Sequence, residues 1–182
     1  MTFDEVMAFT RTVSSADAFR DEECRRYYDI LCGLSPGSLI VEVGLEFGRS
    51  SAVALQVAKA KQLRYRGIDP FLDTPDALEA WIKMARSIGR PFELHVMRSH
   101  DCLSDGSIDA LLIDGDHRYE TVMLDCLDFV PLVSDGGYAM FHDVGPEPGV
   151  SKAVTKYFGG RFDWIQHETC QTLGIWQRQS GR

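Results

Sequence analysis

The chain has 182 residues, a length typical of one domain with a sizeable core, and its 45% hydrophobic and 25% charged residues indicate an ordinary globular protein. A net charge of −8 argues against a nucleic-acid-binding surface, which is normally basic. The sequence contains no apolar run of the roughly 20 residues that cross a bilayer. Its first residues lack a basic segment before an apolar run, so we expect no signal peptide. Five cysteines without a CxxC pair favour reduced thiols, so we expect a cytoplasmic protein.

The chain opens with two predicted helices, at residues 3–12 and 20–33, for which Ser15 or Asp17 are candidate caps. The acidic run Asp21–Glu22–Glu23 is interpreted as a solvated helix start. A break at SPGS then precedes a β-branched segment, SLIVEVG, that suits a buried strand. The segment GRSSAVALQVAKA follows as an amphipathic helix.

Strand and helix patterns alternate through the rest of the chain. Further strands are predicted at residues 63–69, 92–99, 108–114 and 137–143, and further helices at 75–89, 119–132 and 150–158. Two last strands, at 162–168 and 173–179, are separated by only a few residues and should pair as an antiparallel hairpin.

This order predicts a doubly wound α/β fold, with a mostly parallel seven-stranded sheet, an antiparallel C-terminal hairpin and helices on both faces. We expect one domain over residues 1–182, in which residues 1–34 form N-terminal helices. In such sheets, ligands bind outside the carboxyl ends of the strands. If consecutive strands lie side by side, Glu42, Asp69, Asp114 and Asp143 share one rim.

The first strand ends in VEVGLEFGRSS. Gly44 and Gly48 permit a tight turn and the close approach of a ligand. Ser50 falls at the start of the next helix, where free N–H groups favour an anion, and Glu42 could accept hydrogen bonds from a cationic amine. A simple βα turn would also explain these residues, and the glycine spacing differs from the G-x-G-x-x-G of dinucleotide sites.

The second and third strands also end in polar residues. Asp69 stands where α/β folds that bind adenosine place the acid for the ribose diol, although it could instead cap a turn before Pro70. Ser99, His100 and Asp101 could rim an adenine, and a solvated loop explains them equally well.

Asp114 ends the fourth strand, and His142 and Asp143 end the fifth. Adjacent parallel strands lie about 5 Å apart, so these side chains should converge. Carboxylate oxygens suit a Mg²⁺-like ion, and an imidazole shifts the preference towards Mn, Fe, Co or Zn. His117 lies next to them and suits a general base. Local helix capping by Asp114 or Asp116 is the structural alternative.

These segments resemble the class I S-adenosylmethionine-dependent methyltransferases, and most closely the small-molecule O-methyltransferases of the catechol and macrolide-sugar types. IVEVGLEFGRSSAVAL is similar to the first motif of the family, GIDPF to its ribose-binding acid and RSHD to its adenine-contacting turn. IDGDHRYE and MFHDV resemble the paired strand ends that hold metal and base, and QTLGIWQ resembles the reversed last strand. The resemblance runs from about Gly37 to Gln179.

The resemblance implies S-adenosylmethionine as cofactor and a divalent metal, Mg²⁺ or Mn²⁺. The implied contacts to the methionine end are Glu42, Gly44, Gly48 and Ser50, with Asp114 also near the cofactor. Asp69 would bind the ribose, and Ser99 and His100 the adenine. The metal-ligand positions hold Asp114, His142 and Asp143, and His117 holds the base position. The family often has Asp-Asp or Asp-Asn where this chain has His142–Asp143.

The implied reaction is O-methylation of a small-molecule hydroxyl by in-line displacement, with His117 as base and a cation at Asp114 and Asp143 stabilising the oxyanion. We expect a small-molecule acceptor, no nucleic acid and no membrane as partners. The short N-terminal helices and loops indicate an open acceptor site, or one completed by a partner subunit in a homodimer. A nucleotide-dependent oxidoreductase and a non-catalytic cofactor-binding or interaction module remain open alternatives.

Overall fold

A computed structural model describes residues 1–13, 19–72, 75–102 and 106–181, so the candidate caps Ser15 and Asp17 lie outside the described residues. A single sheet of seven strands forms the centre. The strands are β1 (Leu39–Val43), β2 (Arg64–Ile68), β3 (Glu93–His95), β4 (Ile108–Ile113), β5 (Val133–Phe141), β6 (Trp164–Gln166) and β7 (Gly174–Arg178).

Helices occupy the connections at the positions that the apolar spacing predicts. They are α1 (Phe3–Val13), α2 (Asp21–Gly33), α3 (Arg49–Lys61), α4 (Pro75–Ile88), α5 (Tyr119–Phe129) and α6 (Pro148–Phe158). Several bounds differ from the prediction, and β5 begins at Val133, four residues earlier than predicted. A 3₁₀ turn, Val130–Leu132, separates α5 from β5, because Pro131 lacks the N–H that would continue the helix. Strand β3 is also shorter than predicted.

The strand order is β3-β2-β1-β4-β5-β7-β6. Strands β1 to β5 are parallel, and β7 is antiparallel to both β5 and β6. The predicted fold class is confirmed. The expectation that consecutive strands always lie side by side is wrong in two places, because β4 pairs with β1 rather than β3 and β7 lies between β5 and β6.

Each face of the sheet buries its own apolar cluster. On one face, α1, α2, α3 and α4 pack around Tyr27, Tyr65 and Trp81. On the other, α5 and α6 pack around Phe129 and Phe141. Among the described residues, no helix is both long and apolar enough to cross a bilayer. Because both faces are covered, the carboxyl ends of the parallel strands are left as the place for a ligand.

Candidate active site

A cleft of about 630 Å³ opens at the carboxyl ends of the parallel strands. Every residue predicted for the site lines this cleft except Glu42. The predicted residues that line it are Gly44, Gly48, Ser50, Asp69, Ser99, His100, Asp114, His117, His142 and Asp143. The sheet therefore brings together residues from the ends of β1 to β5, which the sequence separates by up to 99 positions.

The floor of the cleft is formed where β1 and β4 end. The backbone N–H of Asp114 donates to the Val43 carbonyl at 2.7 Å, and that of Gly44 donates to the Ile68 carbonyl at 2.9 Å. Gly44 has a φ of +86°, and a Cβ there would lie 2.1 Å from the Asp114 carbonyl oxygen. Gly44 therefore allows the backbone of β1 to pass against the residue that carries the Asp114 carboxylate.

Gly48 and Ser50 lie at the N-terminus of α3, which faces the cleft. Gly48 precedes the helix with a φ of +83°, and a Cβ there would lie 2.7 Å from Cδ1 of Trp81. Ser50 is buried, with 5% of its surface exposed, and lies in the first turn of the helix. The first backbone N–H groups of α3 have no partners within the helix, so this end favours an anionic group of a ligand.

Asp69 holds two loops of the cleft together. Its Oδ2 accepts hydrogen bonds from the backbone N–H groups of Leu45 at 2.7 Å and Glu46 at 3.2 Å. Its Oδ1 accepts one from Phe71 at 2.6 Å. Glu46 and Phe71 both have positive φ, 44° and 49°, a conformation that costs free energy for residues with a Cβ. The carboxylate that the sequence assigns to the ribose thus also fixes the loops around it.

Ser99 and His100 lie in a 3₁₀ turn, Ser99–Asp101, at one end of the cleft. The Ser99 hydroxyl donates to Oδ1 of Asp125, a residue of α5 that is 1% exposed and also lines the cleft. Burial raises the pKa of Asp125 to about 6. His100 is exposed.

At the other end of the cleft, His142 contacts a carboxylate on each side. Its Nδ1 lies 3.1 Å from Oδ1 of Asp114 and 3.2 Å from Oδ2 of Asp143. Its Nε2 lies 3.2 Å from Oε2 of Glu23, and the same nitrogen is 3.2 Å from the Thr172 hydroxyl. The side chain is 3% exposed. Both ring nitrogens are therefore engaged by protein groups.

The charges of Glu23 and His142 stabilise each other. Burial acts to lower the pKa of His142, but the hydrogen bonds with Asp114 and Glu23 raise it to about 10. Burial acts to raise the pKa of Glu23, but hydrogen bonds with His142, the Arg20 N–H and Thr172 lower it to about 2. Both ring nitrogens of His142 thus face acceptor oxygens of the protein, Nε2 towards Glu23 and Nδ1 towards Asp114 and Asp143. The role of His142 as a metal ligand stays a prediction.

His117, the predicted base, also lies beside these carboxylates. Its Nε2 lies 3.3 Å from Oδ2 of Asp143, and its Nδ1 lies 3.9 Å from Oε1 of Glu147. Asp114, His117 and Asp143 each offer one ligand atom, and these atoms lie within 4.8 Å of one another. Burial raises the pKa of Asp114. Asp116 accepts a hydrogen bond from the Arg118 N–H at 2.9 Å in the turn before α5, and the first residues of that helix have no side-chain cap.

Glu42 lies behind the cleft, where it is completely buried. Its carboxylate accepts hydrogen bonds from the hydroxyl groups of Tyr27 at 3.0 Å, Ser51 at 2.7 Å and Tyr65. Burial raises its pKa despite these bonds. The expectation that Glu42 meets a ligand amine differs from this geometry, because three protein hydroxyls surround the carboxylate. In the structure, Glu42 joins α2, α3 and β2 to β1.

A family model described as "Methyltransferase domain" matches residues 41–144, from β1 to the end of β5. The chain belongs to this methyltransferase family. The family resemblance inferred from the sequence is confirmed, and the protein is an S-adenosylmethionine-dependent methyltransferase. A comparison with curated protein sequences found no match.

Solved structures share the fold of this methyltransferase. The O-methyltransferase NovP superposes with a TM-score of 0.74 at 16% identity, with 98% of each chain covered. TomG from Streptomyces achromogenes, an O-methyltransferase solved with S-adenosylmethionine, has a TM-score of 0.69 at 14% identity, covering 98% of this chain and 89% of that chain. An rRNA methylase from Streptococcus thermophilus has a TM-score of 0.62 at 13% identity, covering 86% and 96%. At these identities the likeness shows the fold alone.

Two acids of the methyltransferase site were missed by the sequence reasoning, although a signal existed for both. Asp125 shares the buried face of α5 with Val122, Cys126 and Phe129. Glu23 shares the buried face of α2 with apolar residues, and it is completely buried rather than part of a solvated helix start. An acid at an apolar position of a helical repeat indicates a buried group that needs a partner.

Proposed function

We propose that this methyltransferase methylates a hydroxyl oxygen of a small molecule, with His117 as the general base and a divalent ion held by Asp114 and Asp143. The observation that carries the proposal is the convergence of these three side chains in the same cleft as Asp69 and the Ser99 turn. A base and two carboxylates next to the predicted cofactor residues are what deprotonation of a hydroxyl requires.

The charges of the site favour a neutral or cationic acceptor. His117 is flanked by Asp143 at 3.3 Å and Glu147 at 3.9 Å. The chain as a whole carries a net charge of −8. A polyanion such as a nucleic acid would be repelled by such a surface, since nucleic-acid binding depends on neutralising phosphates. A small uncharged hydroxyl compound is compatible with both observations.

The residues at the cleft fit a divalent ion. Asp114 and Asp143 offer carboxylate oxygens, the donors that Mg²⁺ and Mn²⁺ prefer. Their side chains are 22% and 23% exposed, so water can complete the coordination. When bound, the cofactor supplies an electrophilic methyl group, and the ion supplies positive charge at the acceptor oxygen.

The remaining chemistry belongs to protein side chains. His117 is 40% exposed, so after it accepts the hydroxyl proton it can pass that proton to water. His142 holds Asp114 and Asp143 in place through Nδ1, at 3.1 and 3.2 Å. Fixed placement of the reacting groups can remove several kcal/mol from the barrier of a displacement reaction. The protein therefore contributes mainly orientation and one proton transfer.

The substitution His117→Ala tests the base. Methyl transfer from labelled S-adenosylmethionine would be screened against phenols, catechols and sugars, and the binding of S-adenosylhomocysteine would be measured by calorimetry. We expect turnover to fall about 10²- to 10⁴-fold, while affinity for S-adenosylhomocysteine changes less than about threefold, because a base acts on the acceptor and not on the cofactor. His95→Ala is the matched control, since this histidine is partly exposed at the end of β3 and does not line the cleft.

The metal is tested separately with the same protein. Mn²⁺ binding, followed by electron paramagnetic resonance, should persist in His117→Ala and be lost in Asp143→Asn. Loss of Mn²⁺ binding in His117→Ala would make His117 a ligand and not the base. Full turnover of wild-type protein in the presence of a strong chelator would reject the metal, and full turnover of His117→Ala would reject the base.

A further inference from the structure

Strand β6 forms one edge of the sheet, and no strand of the described part of the chain pairs with its outer side. The antiparallel pairing with β7 decides which backbone groups face outwards. The backbone N–H of His167 donates to the Ile175 carbonyl at 2.9 Å. Because such a ladder alternates, Ile165 also turns its backbone groups towards β7, whereas Trp164 and Gln166 turn theirs away. Each of these last two residues offers an N–H and a C=O at the open edge.

The open edge of β6 lacks the features that usually keep an edge strand from pairing. Its three residues, Trp164–Gln166, include no charged group and no proline, whereas β3, at the opposite edge of the sheet, carries Glu93 and His95. Two large apolar side chains are also exposed here, Ile165 at 47% and Phe162, just before the strand, at 91%. An unprotected edge with exposed apolar side chains is typical of an interface.

A second copy of the chain fits this edge. If two β6 strands pair antiparallel about Ile165, Trp164 of each lies opposite Gln166 of the partner subunit, and every outward N–H and C=O of these residues gains a partner. Ile165 then faces Ile165 of the partner subunit, so the exposed apolar side chains cover each other. On the same face of the sheet, Asp163 faces His167 of the partner subunit, which sets an acid opposite a basic group.

The neighbouring registers fit this edge less well. A pairing centred on Trp164 would need the carbonyl of Phe162, which already accepts a hydrogen bond from the Gln179 side chain at 3.1 Å. It would also set the apolar Ile165 against the charged Asp163 of the partner subunit. A shift in the other direction would pair β6 with a residue beyond the end of the strand. The edge therefore favours the register about Ile165.

We propose that β6 is the interface of a homodimer, in which two sheets join edge to edge with their β6 strands antiparallel about Ile165. Strand β6 is parallel to β5, since both are antiparallel to β7. The parallel strands of the two subunits therefore run in opposite directions, and their clefts open at opposite edges of the joined sheet. Each acceptor site is then built by one chain and stays open. The inference depends on neither the methyl acceptor nor the metal.

A cysteine at the centre of the interface tests the register. Ile165→Cys would set two thiols face to face at a pair without mutual backbone hydrogen bonds, where Cα atoms lie about 4.5 Å apart, a separation that a disulfide can span. Mild oxidation should convert most of this variant into a covalent dimer. In Phe162→Cys, the matched control, the two thiols would lie roughly 20 Å apart along the strands, so it should stay uncrosslinked although position 162 is more exposed. Wild-type protein, oxidised in the same way, accounts for its own five free cysteines.

Sedimentation velocity of the full chain tests the dimer itself. Over about 1 to 100 µM, wild-type protein should pass from monomer to dimer, and Ile165→Lys should weaken the dimer at least about 30-fold, because two ammonium groups would face each other. Leu127→Lys, the same change at an exposed position of α5, should leave the dimer intact. Ile165→Lys should still bind S-adenosylhomocysteine like wild type, which shows that it is folded, since Ile165 does not line the cleft.

Three results would each overturn the inference. The first is wild-type protein that stays monomeric over the whole range of concentrations. The second is a dimer that folded Ile165→Lys leaves unchanged, which would place the interface elsewhere. The third is a Phe162→Cys variant that cross-links as readily as Ile165→Cys, because random collisions and not a fixed register would then explain the disulfide.

Discussion

Replacing Gly44 by alanine should damage the site through one close contact. A Cβ on Gly44 would lie 2.1 Å from the carbonyl oxygen of Asp114, 2.4 Å from its carbon and 2.6 Å from the Gly115 nitrogen. All three atoms belong to the backbone, so no side-chain rotation can relieve the contact. The end of β1 must move away from the end of β4, and Asp114 moves with it.

The cost of this change has two parts that a control can separate. The positive φ of 86° costs alanine about 1–2 kcal/mol, less the roughly 0.4–1 kcal/mol by which alanine restricts the unfolded chain. Gly136 has a similar φ of 78° and no atom within 4 Å of an added Cβ. Gly136→Ala therefore measures the conformational cost alone. Gly44→Ala should lose an additional 1–3 kcal/mol or so, because it also overpacks the backbone.

Urea unfolding of both variants measures these costs, and calorimetry with S-adenosylhomocysteine reports the site. We expect Gly44→Ala to unfold at clearly lower urea than Gly136→Ala and to bind S-adenosylhomocysteine at least about tenfold more weakly, since a 1 Å displacement is enough to cost such a factor. Equal free energies of unfolding for the two variants would refute the reasoning from the β1–β4 contact.

Three other predictions concern the buried acids. Glu42→Ala leaves three hydroxyls without their acceptor and should cost about 2–5 kcal/mol of unfolding free energy, yet calorimetry should show S-adenosylhomocysteine affinity within about threefold of wild type, because Glu42 does not line the cleft. Glu23→Ala removes the acid that faces Nε2 of the buried His142 and the acceptor of two Thr172 hydrogen bonds, and it should cost about 3–5 kcal/mol in urea unfolding, whereas Glu22→Ala, at an exposed position, should change stability by under about 0.5 kcal/mol. The pKa of Asp125 in the folded protein, about 6, exceeds its ordinary value of 3.8, so its contribution to stability falls as pH rises from about 4 to 6. Asp125→Asn should therefore be more stable than wild type by roughly 2–3 kcal/mol at pH 7.5, with little difference near pH 4, in urea titrations at both pH values.

Local patterns were sufficient to predict the elements and the strand ends. The alternation of buried β-branched segments with amphipathic ones predicted the parallel sheet, and the short link between the last two strands predicted their antiparallel pairing. Because every parallel strand presents its carboxyl end to the same edge, Asp69, Asp114 and Asp143 reach one cleft whatever the lateral order of the strands. The wrong assumption about neighbouring strands was therefore harmless for the site.

Contacts between distant segments could not be predicted in the same way. Asp114 and His142 both line the cleft, but the partner of His142 on its far side is Glu23, 119 positions earlier in the chain. Thr172 reaches the same carboxylate from 149 positions away. The direction in which a strand-end imidazole points depends on such contacts, so its role as a metal ligand could not be judged from strand ends alone.

The second helix, α2, is linked to the site by a chain of contacts through Glu23. Glu23 on α2 accepts hydrogen bonds from the Thr172 hydroxyl at 2.7 Å and from its backbone N–H at 2.9 Å, and it faces His142 Nε2 at 3.2 Å. His142 in turn places Nδ1 against Asp114 and Asp143. A movement of α2 that withdraws Glu23 would leave Nε2 of the buried His142 without its acidic partner, so Asp114 and Asp143 would be the acids that still pair with the imidazole, and the orientation of the ring between them would be less fixed. The position of α2 is therefore coupled to the geometry of Asp114 and Asp143, and the coupling passes through His142.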